Sequence, residues 1–241
     1  TAGVKDVYIT KVPDHMLDVA NLIREADRNG LRLKFIPDIG PHLYSSFNVD
    51  YLGNRFPVIS IRPEPLEDIS SRFKKRFFDL AFTSFVFIVL LWWLLPLIAL
   101  IIKLDSKGPV FFIQKRSGRN NIDFSVFKFR TMKVVETTQQ FEQAKKDDPR
   151  ITRVGACLRK YSLDELPQFI NVLLGNMSVI GPRPHPLKLN DQFQKIIDKY
   201  MVRHFVKPGI TGWAQVNGFR GETKDSIDME NRVKYDIYYL E

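Results

Sequence analysis

Two adjacent carboxylates flanked by basic residues form the part of this sequence best suited to chemistry. Asp164 and Glu165 lie in the segment Ser-Leu-Asp-Glu-Leu-Pro-Gln, residues 162–168. Proline is favoured in the first turn of a helix, so Pro167 predicts a helix that starts near Asp164, with both carboxylates at its N-terminus. The helix dipole favours the ionised form of both groups there. Taken alone, such a pair is more typical of simple dipole complementation than of catalysis.

Arginines accompany this carboxylate pair on both sides. Arg159 precedes it, and the segment Gly-Pro-Arg-Pro at 181–184 follows it. The two prolines predict a rigid turn that presents Arg183, whose planar guanidinium suits bidentate contacts with phosphate. In this company, the pair indicates chemistry on a phosphorylated substrate rather than dipole complementation alone.

A predicted β-hairpin supplies two further cations. Residues 110–113 and 124–129 have strand-like patterns, and the residues between them, 114–118, have the composition of a turn. Lys128 and Arg130 share one face at strand spacing. A solvated basic face and a pair of phosphate contacts both remain open as interpretations of this spacing.

A glycine-rich segment near the end of the chain is a second candidate for ligand binding. Residues 207–218 contain three glycines, which predicts a structured loop and not a helix. Glycines allow the backbone to approach a ligand closely. Trp213 within this loop either stacks on a flat group or is buried.

A long apolar run must position these residues relative to a membrane. The 23 residues from Leu80 to Ile102 carry no charge, and a bilayer core needs roughly 20 residues. Basic residues flank both ends, and the positive-inside rule then assigns both flanks to the cytoplasm, which one straight span cannot satisfy. Pro96 removes a helix hydrogen bond within the run. We therefore expect a re-entrant helix hairpin over about 72–104 that breaks at Pro96; a buried helix and a straight span of a transmembrane sensor are the alternatives.

The first 70 residues have a different pattern. Strand-like segments at 7–10 and 31–36 enclose a helical segment at 14–29, which predicts a β-α-β unit from a parallel α/β sheet. No glycine-rich phosphate loop precedes that helix, so nucleotide binding there is not supported. The chain opens on Thr1, and we expect it to be a piece of a longer protein.

The charged residues are also distributed unevenly between the two parts of the chain. The whole chain has a formal charge of +9, yet residues 1–70 hold 8 basic and 10 acidic side chains, while residues 71–241 hold 28 and 17. The basic second part predicts an anionic partner, whether nucleic acid, membrane surface or phosphorylated substrate. An apolar share of 44% excludes a disordered chain, and the single Cys157 excludes an internal disulfide.

Taken together, six motifs in order resemble the bacterial sugar transferase family, the monotopic polyprenyl-phosphate phosphoglycosyl transferases. The resemblance covers about 70–241. It implies an α/β fold: an α+β catalytic module at 71–241 with an N-terminal re-entrant membrane helix hairpin, preceded at 1–70 by the end of a Rossmann-like β-α-β domain. The motifs lie at Lys75–Asp79, Lys128–Met132, Ser162–Gln168, Asn176–Pro184, Lys207–Gly218 and Asp236–Tyr239.

The resemblance also implies a reaction. A UDP-sugar gives its sugar-1-phosphate to undecaprenyl phosphate, which releases UMP and starts exopolysaccharide, capsule or O-antigen synthesis. We therefore expect the partners to be UDP-sugar, undecaprenyl phosphate and membrane lipid, with no nucleic acid and with a homodimer left open. The expected location is the bacterial inner membrane, with the catalytic module on the cytoplasmic face.

Residue roles follow from the resemblance at matching positions. Asp164 is implied as the nucleophile that forms an aspartyl-phosphosugar intermediate, and Glu165 as the ligand of Mg²⁺. The residues implied in binding phosphates and shaping the donor pocket are Lys128, Arg130, Arg159, Arg183, Gly209, Thr211, Gln215, Asn217 and Asp236. A non-catalytic, basic, membrane-anchored binding module is the alternative function, and it depends on the positive charge alone.

Overall fold

A computed structural model of the chain divides it into two compact units, Thr1–Pro63 and Glu64–Glu241, and each is described here by itself. The structure describes residues 6–9, 19, 21–22, 25, 32–35, 48–52, 56–60, 66, 68–133, 148–197, 199–221 and 226–240.

The first unit contains the predicted parallel strand pair. Strand β1 (Asp6–Ile9) pairs in parallel with β2 (Arg32–Phe35). The four described residues between them, at 19, 21–22 and 25, are helical, and the rest of the predicted helix lies outside the described residues. A parallel pair needs a crossover connection, so the β-α-β prediction is confirmed to this extent. An antiparallel hairpin follows, formed by β3 (Asn48–Leu52) and β4 (Phe56–Ser60).

The second unit begins with a helical stretch of 37 residues, Ile69–Asp105, which is long and apolar enough to cross a membrane. It consists of α1 (Ile69–Val86), a π-helical segment (Phe87–Leu91) and α2 (Trp92–Asp105). The predicted break at Pro96 is wrong, because Pro96 lies inside α2 and the helical stretch continues through it. The departure from α-helical geometry comes earlier, in the π-helical segment, which ends just before Trp92, the residue whose carbonyl lies four positions before the proline ring.

Both ends of this helical stretch contact the rest of the second unit, whereas its middle is largely exposed. Near the start, Arg76 donates hydrogen bonds to the carbonyl oxygens of two residues at the end of a short helix. Near the end, Ile98 and Ile102 are buried in a core cluster. Between them, large apolar side chains such as Ile88 (74% exposed) and Trp92 (66%) face outward, although Leu91 is fully buried.

The remainder of the second unit combines two small sheets with short helices. Strands β5 (Phe111–Ser117) and β6 (Asp123–Phe129) form the predicted hairpin, although residues 114–117, predicted as a turn, belong to β5. Strands β7 (Ser178–Ile180) and β8 (Gly209–Thr211) pair in parallel. The helices are α3 (Arg153–Lys160), α4 (Gln168–Leu173), α5 (Leu187–Phe193), α6 (Trp213–Val216) and α7 (Ser226–Leu240). This mixture of helix and sheet agrees with the predicted α/β class.

Three buried apolar clusters pack these elements against one another. The first joins Ile98 and Ile102 of α2 to Phe129 of β6 and Leu158 of α3, with Leu163 and Leu166 packed against it. Because those two leucines flank the carboxylate pair, the hydrophobic core anchors both sides of the predicted chemical centre.

Candidate active site

The carboxylate pair lies on a tight turn that precedes a helix. Leu163–Glu165 form a 3₁₀ turn, entered through Ser162 in the left-handed conformation with φ of 58°. Helix α4 begins only at Gln168, so the predicted start near Asp164 is wrong by one turn. Pro167 has no N–H for an α-helical bond to Leu163, and the chain closes the preceding turn with shorter-range bonds instead.

Glu165 is locked in place by two cations. Lys128 Nζ lies 2.7 Å from its Oε1. Arg183 approaches with both terminal nitrogens, at 2.6 Å from Oε1 and 3.1 Å from Oε2. Burial by itself raises the pKa of Glu165, but Arg183 and Lys128 outweigh it and hold that pKa well below its usual range. Glu165 therefore stays ionised and fixes both cations beside the turn.

Asp164, unlike Glu165, forms no ion pair with the described residues. Among the described residues, no other side chain forms a hydrogen bond or ion pair with its half-buried carboxylate, which accepts a hydrogen bond from its own backbone N–H. Burial raises the pKa of Asp164, while Lys128 and Arg159 lower it and Glu165 raises it further. An unengaged carboxylate with cations close by can attack or bind an electrophilic phosphorus without first losing a partner.

Arg183 reaches Glu165 because two backbone segments approach unusually closely. Gly181 N–H donates to the Thr211 carbonyl oxygen, and Gly209 N–H donates to the Pro182 carbonyl oxygen, both at 2.9 Å. A Cβ atom on Gly209 would lie 2.1 Å from the Gly181 nitrogen, so glycine is required there. The close approach sets the turn that carries the arginine.

A buried polar network supports that turn from behind. Arg203 donates to the Arg183 carbonyl oxygen at 2.6 Å and pairs with Asp236 at 2.8 Å. Both Arg203 and Asp236 are 1% exposed. Asp236, predicted to bind substrate, thus lies within the interior and acts on the site through Arg203. Burial raises the pKa of Asp236, and the neighbouring Arg203 and Arg232 lower it.

A cleft of about 300 Å³ opens beside Glu165. The predicted Thr211 and Gln215 both line it. Gly209 supports it through the backbone, whereas Asn217 is exposed and donates to the Trp213 carbonyl oxygen. The remaining lining residues are Ser162, Leu166, Phe169, Ile210, Val216 and Arg220.

The glycine-rich segment is not entirely a loop. Gly209–Thr211 form strand β8 and Trp213–Val216 form the single helical turn α6, so the prediction of a loop was wrong at these residues. Gly212 has an extended backbone, and its carbonyl accepts the Val216 N–H at 3.1 Å, which closes the turn. This turn places Gln215 on the cleft.

The structure separates the two cations predicted to share a strand face. Lys128 is within β6 and contacts Glu165, but Arg130 lies beyond the strand end. The Arg130 guanidinium donates to the carbonyl oxygens of Ser106 and Lys107, both at 2.7 Å, and so binds the C-terminal end of α2. Arg159 donates to the Thr131 hydroxyl at 2.8 Å and stays close enough to lower the pKa of Asp164.

Two arginines of the site were missed by sequence reasoning. Arg116 on β5 donates to the Pro184 carbonyl oxygen at 2.6 Å, and burial lowers its pKa to about 10 with a further contribution from Arg183. Arg220 lines the cleft and contacts the Ser162 hydroxyl. Neither arginine belongs to a motif that would have predicted a role in the site, because each is a single basic residue near a turn.

The donor set suits a magnesium ion of the kind that substrate phosphates complete. In the described parts of the chain, no group of three or more His, Cys, Asp and Glu side chains converges on one point. Mg²⁺ is often bound by only one or two carboxylates together with phosphates and water. Glu165 Oε2 accepts a single hydrogen bond, from Arg183, and retains capacity for a cation.

Comparisons with known proteins match both the site and the rest of the chain. A sequence profile described as bacterial sugar transferase matches residues 70–241. UDP-glucose:undecaprenyl-phosphate glucose-1-phosphate transferase of Escherichia coli K12 is 42% identical over 237 residues, 98% of this chain and 50% of that protein. The protein of the same name from Xanthomonas campestris pv. campestris is 41% identical over 240 residues, 98% of this chain and 49% of its own.

A third relative is more similar over a shorter stretch. Undecaprenyl-phosphate glucose phosphotransferase of Komagataeibacter xylinus is 47% identical over 171 residues, 69% of this chain and 32% of that protein. The chain thus spans about half the length of the first two relatives and a third of this one. Because the profile match includes every residue of the carboxylate turn, its cations and the cleft, the chain belongs to the bacterial sugar transferase family.

Proposed function

We propose that this protein transfers a sugar-1-phosphate from a UDP-sugar to undecaprenyl phosphate, giving undecaprenyl-diphosphate-sugar and UMP. The observation that carries the proposal is the unengaged Asp164 carboxylate beside a fixed cluster of cations and a cleft. The named activities of the related proteins, which act on UDP-glucose and undecaprenyl phosphate, support the choice of substrates.

The proposed reaction has two displacements at one phosphorus. Asp164 attacks the phosphorus that carries the sugar, a P–O bond forms to the carboxylate, and the bond to UMP breaks with UMP taking the electron pair. An oxygen of undecaprenyl phosphate then attacks the same phosphorus and expels Asp164 as a free carboxylate. A carboxylate is already ionised at neutral pH, so the first step needs no general base.

The surrounding cations would stabilise the charge that develops on the phosphoryl oxygens. Lys128 and Arg183 are held within hydrogen-bonding distance of Glu165, and Arg159 lies near Asp164. Cations fixed in advance cost little reorganisation at the moment of reaction. Glu165 would therefore orient this cluster while Asp164 reacts.

We assign Mg²⁺ to Glu165, through the oxygen that accepts one hydrogen bond. When bound, Mg²⁺ would neutralise charge on the donor diphosphate. Thr211, Gln215 and Arg220 would contact the rest of the donor, since they line the cleft next to Glu165. Chelation with EDTA should stop UMP release, and added Mg²⁺ should restore it.

We also propose that the helical stretch Ile69–Asp105 enters and leaves the inner membrane on its cytoplasmic side. Both of its ends contact the same catalytic unit, while large apolar side chains of its middle are exposed. Cysteine labelling on either side of the stretch, at residue 1 and at residue 241, from each membrane face tests this; labelling from opposite faces would contradict it.

The function is tested by UMP release from a panel of UDP-sugars, with undecaprenyl phosphate in detergent. A donor labelled in its sugar-linked phosphate, given without acceptor, should leave label on the wild-type protein that hydroxylamine removes. Asp164→Asn should neither retain label nor release UMP. Label on that variant would contradict the nucleophile, and lipid binding without any UMP release would favour the non-catalytic binding module.

A further inference from the structure

A second groove of about 350 Å³ lies on the second unit, at the start of α1. Residues from α1, from β7 and from the segment 205–207 line it. None of its lining residues belongs to the cleft beside Glu165. The proposed transfer reaction therefore gives this groove no role.

The groove is strongly basic. Five of its lining side chains are cationic and only one, Asp79, is anionic. Asp79 is already engaged, because its Oδ1 accepts hydrogen bonds from Lys75, from the Ser178 hydroxyl and from the Val179 N–H. Among the described residues, no carboxylate forms an ion pair with the other four cations, which are Arg72, Arg76, Arg119 and Lys207.

Three of these cations lie close together, and none of them forms an ion pair with a described carboxylate. A Cβ atom placed on Gly175 would lie 3.5 Å from Arg76 Nη2 and 3.8 Å from Lys207 Nζ, so both groups approach the same point. Arg119 uses its Nε on the Phe205 carbonyl oxygen, at 3.2 Å, at the same side of the groove. Burial lowers the pKa of Lys207, and Arg76 and Arg119 lower it further, while Asp79 raises it. A bound anion would remove this mutual repulsion.

The groove also has an apolar wall. Ile69 and Phe73, one helical turn apart on α1, are 75% and 72% exposed and line the groove together with the cations. Helix α1 then continues into the uncharged run that begins at Leu80. A free phosphate ion would use the cations and leave the apolar wall in water, whereas a phospholipid would cover both.

We propose that this groove binds an anionic phospholipid, with its phosphodiester on Arg72, Arg119 and Lys207 and its acyl chains along Ile69 and Phe73. The inference rests on the proposed membrane association of the helical stretch, and it concerns a lipid of the bilayer and not the acceptor substrate. An anionic headgroup here would fix the depth at which α1 enters the membrane.

The test measures lipid binding to the delipidated, detergent-solubilised chain by native mass spectrometry. Phosphatidylglycerol should bind at least about tenfold more tightly than phosphatidylcholine, because its headgroup carries a net negative charge and that of phosphatidylcholine does not. Arg119→Ala combined with Lys207→Ala should abolish this preference. The matched control, Lys188→Ala combined with Lys195→Ala, removes the same charge from exposed positions outside the groove and should keep the preference.

Three outcomes would overturn the proposal. Equal affinity for the two lipids would exclude an anionic headgroup site, and an equal loss in the control variant would show non-specific attraction. Competition by millimolar inorganic phosphate, with no effect of Ile69→Ser combined with Phe73→Ser, would show a free-anion site. Asp164→Asn should keep the lipid preference while losing UMP release, so lipid binding and the proposed function are tested separately.

Discussion

Two basic regions of this molecule differ in whether their cations form ion pairs. At the carboxylate turn, Lys128 and Arg183 converge on Glu165, whose carboxylate forms an ion pair with each of them, at 2.7 and 2.6 Å. In the α1 groove, Arg76, Arg119 and Lys207 converge with no carboxylate partner among the described residues. In the first region the cations are held by Glu165 beside the proposed nucleophile Asp164. In the second region these cations have no described ion-pair partner and can bind an anionic ligand. Total charge alone does not distinguish these two arrangements.

The largest expected effect separates reactivity from stability within the first region. Asp164→Asn should reduce UMP release by roughly a thousandfold or more, because it removes the attacking oxygen. The free energy of unfolding should not fall, since no described side chain holds Asp164 and burial disfavours its charge. Activity assays and urea unfolding on the same preparation check this. Activity within about tenfold of wild type would contradict the role of Asp164.

Next in size is the interior support of the first region. Asp236→Asn leaves Arg203 buried without a carboxylate, which should cost about 3–5 kcal/mol in the free energy of unfolding. Asp191→Asn is the matched control on the exposed face of α5 and should stay within about 0.5 kcal/mol. Urea unfolding measures both, and equal stability of the two variants would show that the buried pair supports nothing.

Removing the matching charge at the turn should cost somewhat less. Glu165→Gln leaves Lys128 and Arg183 close together without an anion, and we expect a loss of about 2–3 kcal/mol. UMP release should fall too, because Arg183 loses its fixed position. If unfolding were unchanged, Glu165 would not be the charge that holds the cations.

The same carboxylate predicts a pH dependence. The pKa of Glu165 is lower in the folded protein than its ordinary value of 4.5, so its stabilisation is present above pH 4.5 and is lost as the pH falls below it. The stability difference between wild type and Glu165→Gln should therefore narrow on acidification below about pH 4.5. Urea titrations at several pH values measure it, and a constant difference would contradict the ion-pair origin.

The smallest expected effect is in the α1 groove. Lys207→Ala should change the free energy of unfolding in lipid-free detergent by no more than about 0.5 kcal/mol, because it removes repulsion and no ion pair. Phosphatidylglycerol should stabilise the wild type more than this variant in thermal unfolding. A large loss of stability without lipid would show that Lys207 has an internal partner and would erase the contrast between the two regions.

Local pattern predicted much of the site because it depends on residue type and short spacing. The carboxylate pair and Arg183 in a turn were predicted from local pattern and lie in contact, whereas Thr211 and Gln215, which line the cleft, were implied by the family resemblance. Contacts between distant segments were not predictable in this way. Arg116 and Arg203 reach the Arg183 turn from elsewhere in the chain, and neither carries a distinctive local motif.

Two residues that were predicted to bind substrate instead make structural contacts, which the sequence did not predict. Arg130 stands two residues from Lys128, yet the end of β6 turns it toward the carbonyl oxygens that close α2. Asp236 belongs to a conspicuous motif, but its helix face is buried against Arg203. A spacing rule holds only while the element continues, and burial depends on what packs against that element.

By itself, the sequence determined the family, the two parts of the chain, the uncharged helical run and the residue types of the chemical centre. Each of these depends on composition, periodicity or a motif that a local segment carries alone. Only the tertiary structure decided which carboxylate is engaged and which is free, and which cations are matched and which remain unpaired. Charges interact over a few ångströms in space, and the residues that meet at the carboxylate turn are up to 55 positions apart along the chain, from Lys128 to Arg183.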